Sequence, residues 1–213
     1  MANIVHEKKE DCCGSGDCAH YSEPIRLGKS APAFAGKGFH AGKIVDIALS
    51  DILAQDEKWT LIVFYPADFT FVCPTELGDI ADSYQALQDM NVEVVSVSTD
   101  TEWCHKVWAD ISPIIGKVQY PMLADPTGEV CDAYGVYIEA EGLADRGTFI
   151  IDPDGILRGI EVTDGPLGRN IDDTIRKISA LQHMRANPGQ ACPAKWAKGA
   201  DTLTPGADLA GKL

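Results

Sequence analysis

The chain changes from a strand pattern to a helix pattern within residues 58–90, KWTLIVFYPADFTFVCPTELGDIADSYQALQDM. Residues 60–65 are mainly β-branched and aromatic, a run that is too short for a helix and typical of a buried strand. Pro66 ends this strand because proline has no N–H group to donate to a neighbouring strand. From about Thr70 the apolar residues recur at helical spacing, which predicts a helix. The residues on its apolar face are Leu77, Ile80, Ala81, Tyr84 and Leu87.

Cys73 lies where the predicted strand gives way to the predicted helix. Pro74 fits the first turn of that helix, where a missing N–H group costs nothing, so Cys73 stands at the helix N-terminus. Free backbone N–H groups and the positive end of the helix dipole stabilise a thiolate there. We therefore predict a reactive thiol at this position. The alternative is a buried cysteine that acts as a small hydrophobe, as most free cysteines do.

Ionisation of a thiol is not sufficient for a fast reaction. An ordinary thiol, with a pKa of ~8.5, is about 3% ionised at pH 7, so complete ionisation gains roughly 30-fold at most. A less basic thiolate is also a weaker nucleophile, with a Brønsted slope of ~0.4–0.5. Fixed hydrogen-bond donors must therefore stabilise the transition state as well. The Thr70 hydroxyl, three residues before Cys73, is one candidate, and an arginine from elsewhere in the chain is expected.

Composition limits the class of protein. The chain has 213 residues, enough for one sizeable core, and its formal net charge of −14 argues against nucleic acid or an anionic membrane as a partner. No apolar run approaches the ~18 residues of a membrane span, and residues 1–13 lack the apolar centre of a signal peptide. The 7 cysteines, an odd number, fit poorly with a framework of structural disulfides. These features predict a cytoplasmic protein with working thiols.

Residues 1–22 are polar and irregular, which predicts a flexible extension before the folded domain. Cys12, Cys13 and Cys18 lie in it between two histidines. Thiols and imidazoles are zinc ligands, but Cys-Cys-x4-Cys matches no strong zinc spacing. The choice between incidental thiols, metal binding and disulfide chemistry therefore stays open.

The remaining sequence alternates strands and helices, and it ends in a hairpin and a last helix. This order predicts an α/β fold with a mixed sheet covered by helices. Residues 50–53 are predicted to form a short turn before the central strand. The other strands are predicted at residues 44–49, 92–98, 148–151 and 156–162. The later helices are predicted at residues 101–111, 129–135 and 172–187.

The string PADFTFVCPTE, residues 66–76, resembles the Pro-x-x-x-Thr-x-x-Cys motif of the peroxiredoxins. The resemblance implies that Cys73 attacks the O–O bond of a peroxide, while Pro66 and Thr70 shape the pocket around it. It also implies a thioredoxin-like fold over residues 23–186, with a mixed central sheet flanked by helices. A thioredoxin-like disulfide reductase is the alternative, but that chemistry needs Cys-x-x-Cys and position 76 is glutamate.

Two further strings extend this resemblance to charged residues. LADRGTFIID, residues 143–152, resembles the segment that carries the active-site arginine of peroxiredoxins, which implies that role for Arg146. A guanidinium offers fixed donors and a permanent charge to both the thiolate and the peroxide. Glu76 and Arg169 match a supporting ion network in the family. The alternative for these two residues is an ordinary pair on the surface.

The string GQACPAKW, residues 189–196, resembles the resolving-cysteine segment of the typical two-cysteine class. The resemblance implies that oxidised Cys73, a sulfenic acid, condenses with Cys192 of another subunit to form a disulfide. Cys192 follows a predicted helix stop on a C-terminal arm, residues 187–213, so it can move. The strings EGLADR and CPAKW and the terminal GKL are similar to one branch of the class, the peroxidase subunits of bacterial alkyl hydroperoxide reductases.

The resemblance implies a thiol-dependent peroxidase that reduces hydrogen peroxide and organic hydroperoxides in antioxidant defence, without metal, haem or another cofactor. A flavoprotein reductase or a thioredoxin-type protein would supply the electrons. The family also implies a homodimer, with five dimers closing into a ring, a decamer. A holdase chaperone is a second class of function, which needs exposed apolar surface but not Cys73.

Removal of residues 1–20 is expected to leave peroxide reduction unchanged, because these residues precede the segment that carries the resemblance. Turnover with a small thiol reductant, which needs no protein partner, measures this directly in the truncated and full-length proteins. A large loss of turnover, or the loss of stoichiometric zinc with the segment, would show that the N-terminal cysteines belong to the site.

Overall fold

The structure, a computed structural model, describes residues 24–211. The N-terminal cysteines lie outside the described residues, so the predictions about them stay predictions. No helix between residues 24 and 211 is long and apolar enough to cross a membrane. The strands are β1 (Ala35–His40), β2 (Lys43–Ala48), β3 (Trp59–Phe64), β4 (Val92–Ser98), β5 (Met122–Ala124), β6 (Tyr137–Ile138), β7 (Leu143–Ala144), β8 (Arg146–Ile151) and β9 (Leu157–Thr163). The α-helices are α1 (Leu49–Leu53), α2 (Cys73–Asp82), α3 (Tyr84–Asp89), α4 (Glu102–Ile111), α5 (Glu129–Ala133) and α6 (Ile171–Ala186).

The central sheet has seven strands in the order β2-β1-β5-β4-β3-β8-β9. β3 pairs in parallel with β4 and antiparallel with β8, so the sheet is mixed, and β8 and β9 form the predicted hairpin. β3 is buried along its whole length, as its unbroken apolar run predicts. These features confirm the predicted α/β fold, and they leave β9 at one edge of the sheet.

Alternate side chains of β3 enter two separate hydrophobic clusters, one on each face of the sheet. Leu61 and Val63 belong to the cluster that α2, α4 and α6 cover, and Cys73 lies in this cluster. Ile62 and Phe64 belong to the cluster on the opposite face, which α1 and α5 cover. The two faces of one strand therefore hold the helices in two layers around the sheet.

The prediction for residues 50–53 is wrong, because they form most of α1 rather than a turn. Leu49 and Ile52, three residues apart, are both buried, and this contact with the core holds the short helix. β1 was not predicted, since two glycines interrupt its strand pattern. Gly38 is needed there because an added Cβ would clash with the carbonyl oxygen of Met122 on the neighbouring strand β5.

The predicted central helix begins at Cys73, as the position of Pro74 indicated, but it differs in its continuity. It is interrupted at Ser83, which separates α2 from α3. The Tyr84 hydroxyl donates a 2.8 Å hydrogen bond to the Glu93 carboxylate on β4, which ties the start of α3 to the sheet. This contact between distant residues favours the break, and helical periodicity carries no sign of it.

The chain after α6 packs back on that helix as an arm. Trp196 is only 3% exposed, and its ring lies 5.0 Å from the ring of His183 on α6. Arg176, also on α6, donates to the carbonyl oxygen of Trp196 over 3.4 Å. A single bridge between Ala191 and Leu203 closes the arm on itself. These contacts hold Cys192 beside α6.

Candidate active site

Cys73 is the first residue of α2, and its side chain is 1% exposed. Pro74 occupies the first turn, as predicted. The backbone N–H groups of Thr75 and Glu76 point back to the carbonyl oxygen of Val72, at 2.9 and 3.3 Å. The thiol therefore sits at the positive end of a ten-residue helix, which favours an anion at the sulfur.

The loop between β3 and α2 contains two of the predicted site residues, Pro66 and Thr70. Pro66 is half-buried and Thr70 is exposed. The Thr70 hydroxyl donates a 2.9 Å hydrogen bond to the carbonyl oxygen of Ala67 within the same loop. The hydroxyl proton is therefore directed at the loop rather than at the Cys73 sulfur, while the lone pairs of the oxygen remain able to accept a hydrogen bond.

A buried polar cluster fixes this loop to α4; the sequence favoured a structural hydrogen-bonding role for its histidine, His105, but did not indicate the partner Asp68. Asp68 lies in the loop, and its carboxylate accepts from the Tyr65 hydroxyl at 2.8 Å and lies 2.8 Å from Nδ1 of His105 on α4. The other ring nitrogen of His105 lies 3.3 Å from the carbonyl oxygen of Leu123. Burial raises the pKa of Asp68. These contacts of Asp68 hold the loop against α4.

Arg146, the first residue of β8, is brought to Cys73 as predicted. Its Nη1 donates to Cys73 Sγ over 3.4 Å and also donates to the Glu76 carboxylate. Its Nε donates to the carbonyl oxygen of Gly165 over 2.6 Å, and the side chain is 4% exposed. A permanently charged donor is thereby fixed against the sulfur.

Glu76 lies buried between two guanidinium groups rather than on the surface. One oxygen of its carboxylate accepts from Arg146, and the other accepts from the backbone N–H of Arg169 at 2.8 Å and from Arg169 Nη1 at 3.0 Å. Two fixed positive charges therefore face one carboxylate. The group is electrically neutral when Cys73 carries the second negative charge.

Arg169 makes more hydrogen bonds than Arg146 does. Its Nε donates to the Thr148 hydroxyl over 2.8 Å, and its Nη2 donates to the carbonyl oxygens of Phe64 and Gly147. Burial lowers the pKa of this guanidinium, although the neighbouring Glu76 carboxylate opposes that shift. Arg169 thus joins β3, β8 and α2.

The structure does not bring the second predicted thiol, Cys192, into this group. Cys192 is half-buried on the arm, 4.0 Å from the carbonyl oxygen of Ala180, and it lines a cavity of about 300 Å³ between β9 and α6. The four cysteines in residues 24–211, Cys73, Cys104, Cys131 and Cys192, are all free thiols. Burial raises the pKa of the Cys131 thiol, which fits a structural role.

Comparisons with protein families give two matches along the chain. Residues 27–160 match the AhpC/TSA family, and this range includes Cys73 and Arg146. Residues 180–210 match the C-terminal domain of 1-Cys peroxiredoxin, and this range includes Cys192. The two matches together cover most of the described residues.

Relatives of known identity align over nearly their whole length. Alkyl hydroperoxide reductase C of Bacillus subtilis is 47% identical over 187 residues, 88% of this chain and 98% of that protein. The protein of the same name in Salmonella typhimurium is 48% identical over 180 residues, 84% of this chain and 95% of its own length.

Solved structures give the same picture. The crystal structure of Enterococcus faecalis AhpC aligns with a TM-score of 0.75 and 42% identity, over 78% of this chain and 98% of the other. The reduced 2-Cys peroxiredoxin of Plasmodium vivax aligns with a TM-score of 0.81 and 31% identity, over 87% and 96% of the two chains. Both alignments cover more than three quarters of this chain.

Substitution Glu76→Gln is expected to lower the free energy of unfolding by about 3–5 kcal/mol, because it leaves two buried guanidinium groups without their counter-charge. Urea unfolding of the reduced protein measures this loss. Asp82→Asn is the matched control, since it removes the carboxylate of an exposed ion pair with Lys117 at 3.1 Å and should cost less than about 1 kcal/mol. Equal, small effects of the two substitutions would contradict a buried charge balance around Glu76.

Proposed function

Because the chain belongs to the AhpC/TSA family and is a thiol-dependent peroxidase, we propose that Cys73 is the thiol that reduces the peroxide. The observation that carries this assignment is the 3.4 Å contact between Arg146 Nη1 and Cys73 Sγ at the N-terminus of α2. No other thiol in residues 24–211 is hydrogen-bonded to a cationic side chain.

The proposed reaction is a displacement at oxygen. The Cys73 thiolate attacks one oxygen of the hydroperoxide, an S–O bond forms and the O–O bond breaks. The sulfur is oxidised to a sulfenic acid, which keeps the hydroperoxide proton, and the other oxygen leaves as hydroxide or alkoxide and takes a proton from solvent. Hydrogen peroxide gives water, and an organic hydroperoxide gives the alcohol.

Arg146 has two roles in this reaction. Its Nη1 already contacts the sulfur, so the same guanidinium can donate to the oxygen that gains negative charge as the O–O bond breaks. Glu76 and Arg169 support it: the carboxylate holds Arg146, and Arg169 offsets the charge of the carboxylate. The sulfur therefore faces a net positive group, and that group stabilises both the thiolate and the departing oxygen.

Thr70 and Pro66 are proposed to orient the peroxide. The Thr70 hydroxyl donates its hydrogen bond to the carbonyl oxygen of Ala67. Its oxygen is therefore left to accept a hydrogen bond from the O–H of the hydroperoxide. Pro66 closes the loop where β3 ends and fixes its path. A peroxide held by an acceptor at one oxygen and by Arg146 at the other is aligned for attack.

Cys192 is proposed to resolve the sulfenic acid. Its thiol attacks the sulfur of Cys73, a disulfide forms and water leaves. Cys73 is 1% exposed and Cys192 packs against α6, so the start of α2 and the arm of residues 187–213 must open before the two thiols can meet with Cα atoms within roughly 7 Å. The alignment of a 2-Cys peroxiredoxin over 87% of this chain supports a second catalytic thiol, carried by the arm after the main domain of residues 23–186.

The partner thiol is proposed to come from a second copy of the chain. β9 is an edge strand, and Val162 on it is 47% exposed, so this edge can pair with the same edge of another subunit. A second apolar surface supports a ring of five such dimers: Trp103, Val107 and Ile111 repeat every four residues along α4 and are exposed. Phe69, which lies 5.9 Å from the Trp108 ring, borders this surface.

A cytoplasmic reductant is proposed to complete the cycle. The disulfide between Cys73 and Cys192 must be reduced to two thiols by two electrons before the next peroxide reacts. The relatives are named as one component, C, of an alkyl hydroperoxide reductase, which favours a dedicated flavoprotein reductase, and a thioredoxin-type protein has the same chemistry. The cycle then serves antioxidant defence.

Substitution Cys73→Ser is expected to abolish the consumption of hydrogen peroxide with a thiol reductant while the fold survives, because the nucleophile is lost. Arg146→Ala should keep the thiol and lose the fixed donor, which lowers the rate on the order of 10²-fold. Arg146→Lys keeps the charge and separates charge from geometry. Normal consumption by the serine variant would exclude Cys73, and near-normal turnover by the alanine variant would exclude Arg146.

One equivalent of peroxide is expected to link two chains through Cys73 and Cys192, so a non-reducing gel should show a covalent dimer. Cys192→Ser should remove that dimer, because the sulfenic acid then has no resolving thiol, and Cys104→Ser is the matched control that should keep it. An oxidised product that stays monomeric would refute the assignment of Cys192 to the partner subunit.

A further inference from the structure

We propose that Thr148 is a positioning residue of the peroxidase site, whose hydroxyl fixes Arg169 and, through Arg169 and Glu76, the placement of Arg146. The proposal rests on the assignment of Cys73 and Arg146 given above. It concerns a residue without a titratable or nucleophilic group, which neither the motif nor the family resemblance singled out.

The backbone of β8 places Thr148 and Arg146 on the same face of the sheet. Side chains two residues apart in a strand point to the same side, so Arg146 and Thr148 both face α2 and the segment before α6. The register of β8 is held from both sides, since Thr148 lies opposite Val63 on β3 and Glu161 on β9. One rigid strand therefore sets the separation between the catalytic guanidinium and the hydroxyl that holds its partner.

Among the side chains of residues 24–211, only Thr148 accepts a hydrogen bond from Arg169 Nε. Arg169 Nη1 donates to Glu76, and Nη2 donates only to backbone carbonyl oxygens. Nε donates to the Thr148 hydroxyl, 2.8 Å away, and Thr148 is only 6% exposed. Without that hydroxyl the buried Nε–H group would lack an acceptor, which is costly for a charged donor.

Loss of the hydrogen bond between Arg169 Nε and Thr148 would affect Arg146 through Glu76. A guanidinium is planar, so the bond at Nε fixes the plane in which Nη1 meets Glu76. If Arg169 turns away, one oxygen of the Glu76 carboxylate loses a partner and the carboxylate competes more strongly for Arg146 Nη1. That same Nη1 donates to Cys73 Sγ, so the donor is drawn away from the reacting atoms.

The experiment compares Thr148→Val, which keeps the shape and removes the acceptor, with Thr148→Ser, which keeps the acceptor. Two rates are measured at Cys73 by mass spectrometry in the full chain: oxidation by hydrogen peroxide, and alkylation by iodoacetamide, which needs the thiolate but no donor for an oxygen leaving group. We expect the valine variant to lose roughly tenfold in the peroxide rate and less than about threefold in alkylation. The serine variant should keep both rates within about twofold.

Thr174→Val is the matched control. Thr174 is also buried, and with Thr148 it lines the cavity of about 300 Å³ between β9 and α6. Its hydroxyl, however, donates to the carbonyl oxygen of Asn170 at 3.3 Å and makes no hydrogen bond with Arg169 or Arg146. Its two rates should fall together or not at all. If the valine variant at position 148 does not fold, Thr148→Ala against Thr148→Ser gives the same comparison.

Three results would overturn the proposal: a peroxide rate in Thr148→Val within about twofold of the wild type, a proportional fall of both rates, or a serine variant as slow as the valine variant. A failure of the underlying function is distinct, because it would appear as peroxide reduction that survives Cys73→Ser.

Discussion

The pairing of Glu76 with two guanidinium groups in the protein interior is the interaction on which the site depends. Arg146 comes from the start of β8, Arg169 from the segment before α6, and Glu76 from the first turn of α2. Separating any of these elements would leave a buried charge without its partner, which is strongly unfavourable. The charge balance therefore holds together three parts of the fold, and it holds them around the sulfur of Cys73.

This arrangement also explains why the chemistry needs the whole domain. The helix start alone offers the positive end of its dipole, and the arginine alone offers a mobile charge. The loop that carries Thr70 is held separately, by the buried contact between Asp68 and His105 on α4. The proposed donor Arg146 and the Cys73 sulfur thus meet from β8 and α2, and the loop of the proposed acceptor Thr70 is fixed separately. If these roles hold, little reorganisation is left for the reaction itself.

Local patterns predicted the elements, and long-range contacts decided their details. The apolar run of β3 and the Cys73-Pro74 helix start could be predicted because both depend on neighbouring residues. Glu76 and Arg146 could be singled out only because the strings around them, residues 66–76 and 143–152, resemble those of a known family. The interruption of the helix at Ser83 is favoured by the hydrogen bond from Tyr84 to Glu93 on β4. The contact between Asp68 and His105, which fixes the loop, joins residues 37 positions apart. Thr148 could not be found from its sequence context, since a threonine in a strand is ordinary until an arginine is seen beside it.

The burial of Cys73 gives the oxidation step a mechanical effect. The sulfur is 1% exposed and packs in the same cluster as Leu77 and Ile171, where there is little free volume. Oxidation adds an oxygen atom and a polar O–H group at that point, so the product is larger and more polar than the side chain for which the cluster is built. Overfilling a packed core typically costs ~1–3 kcal/mol. On the proposed assignment of Cys73, oxidation would therefore destabilise the packing at the start of α2 and favour release of the segment that the proposed disulfide requires to move.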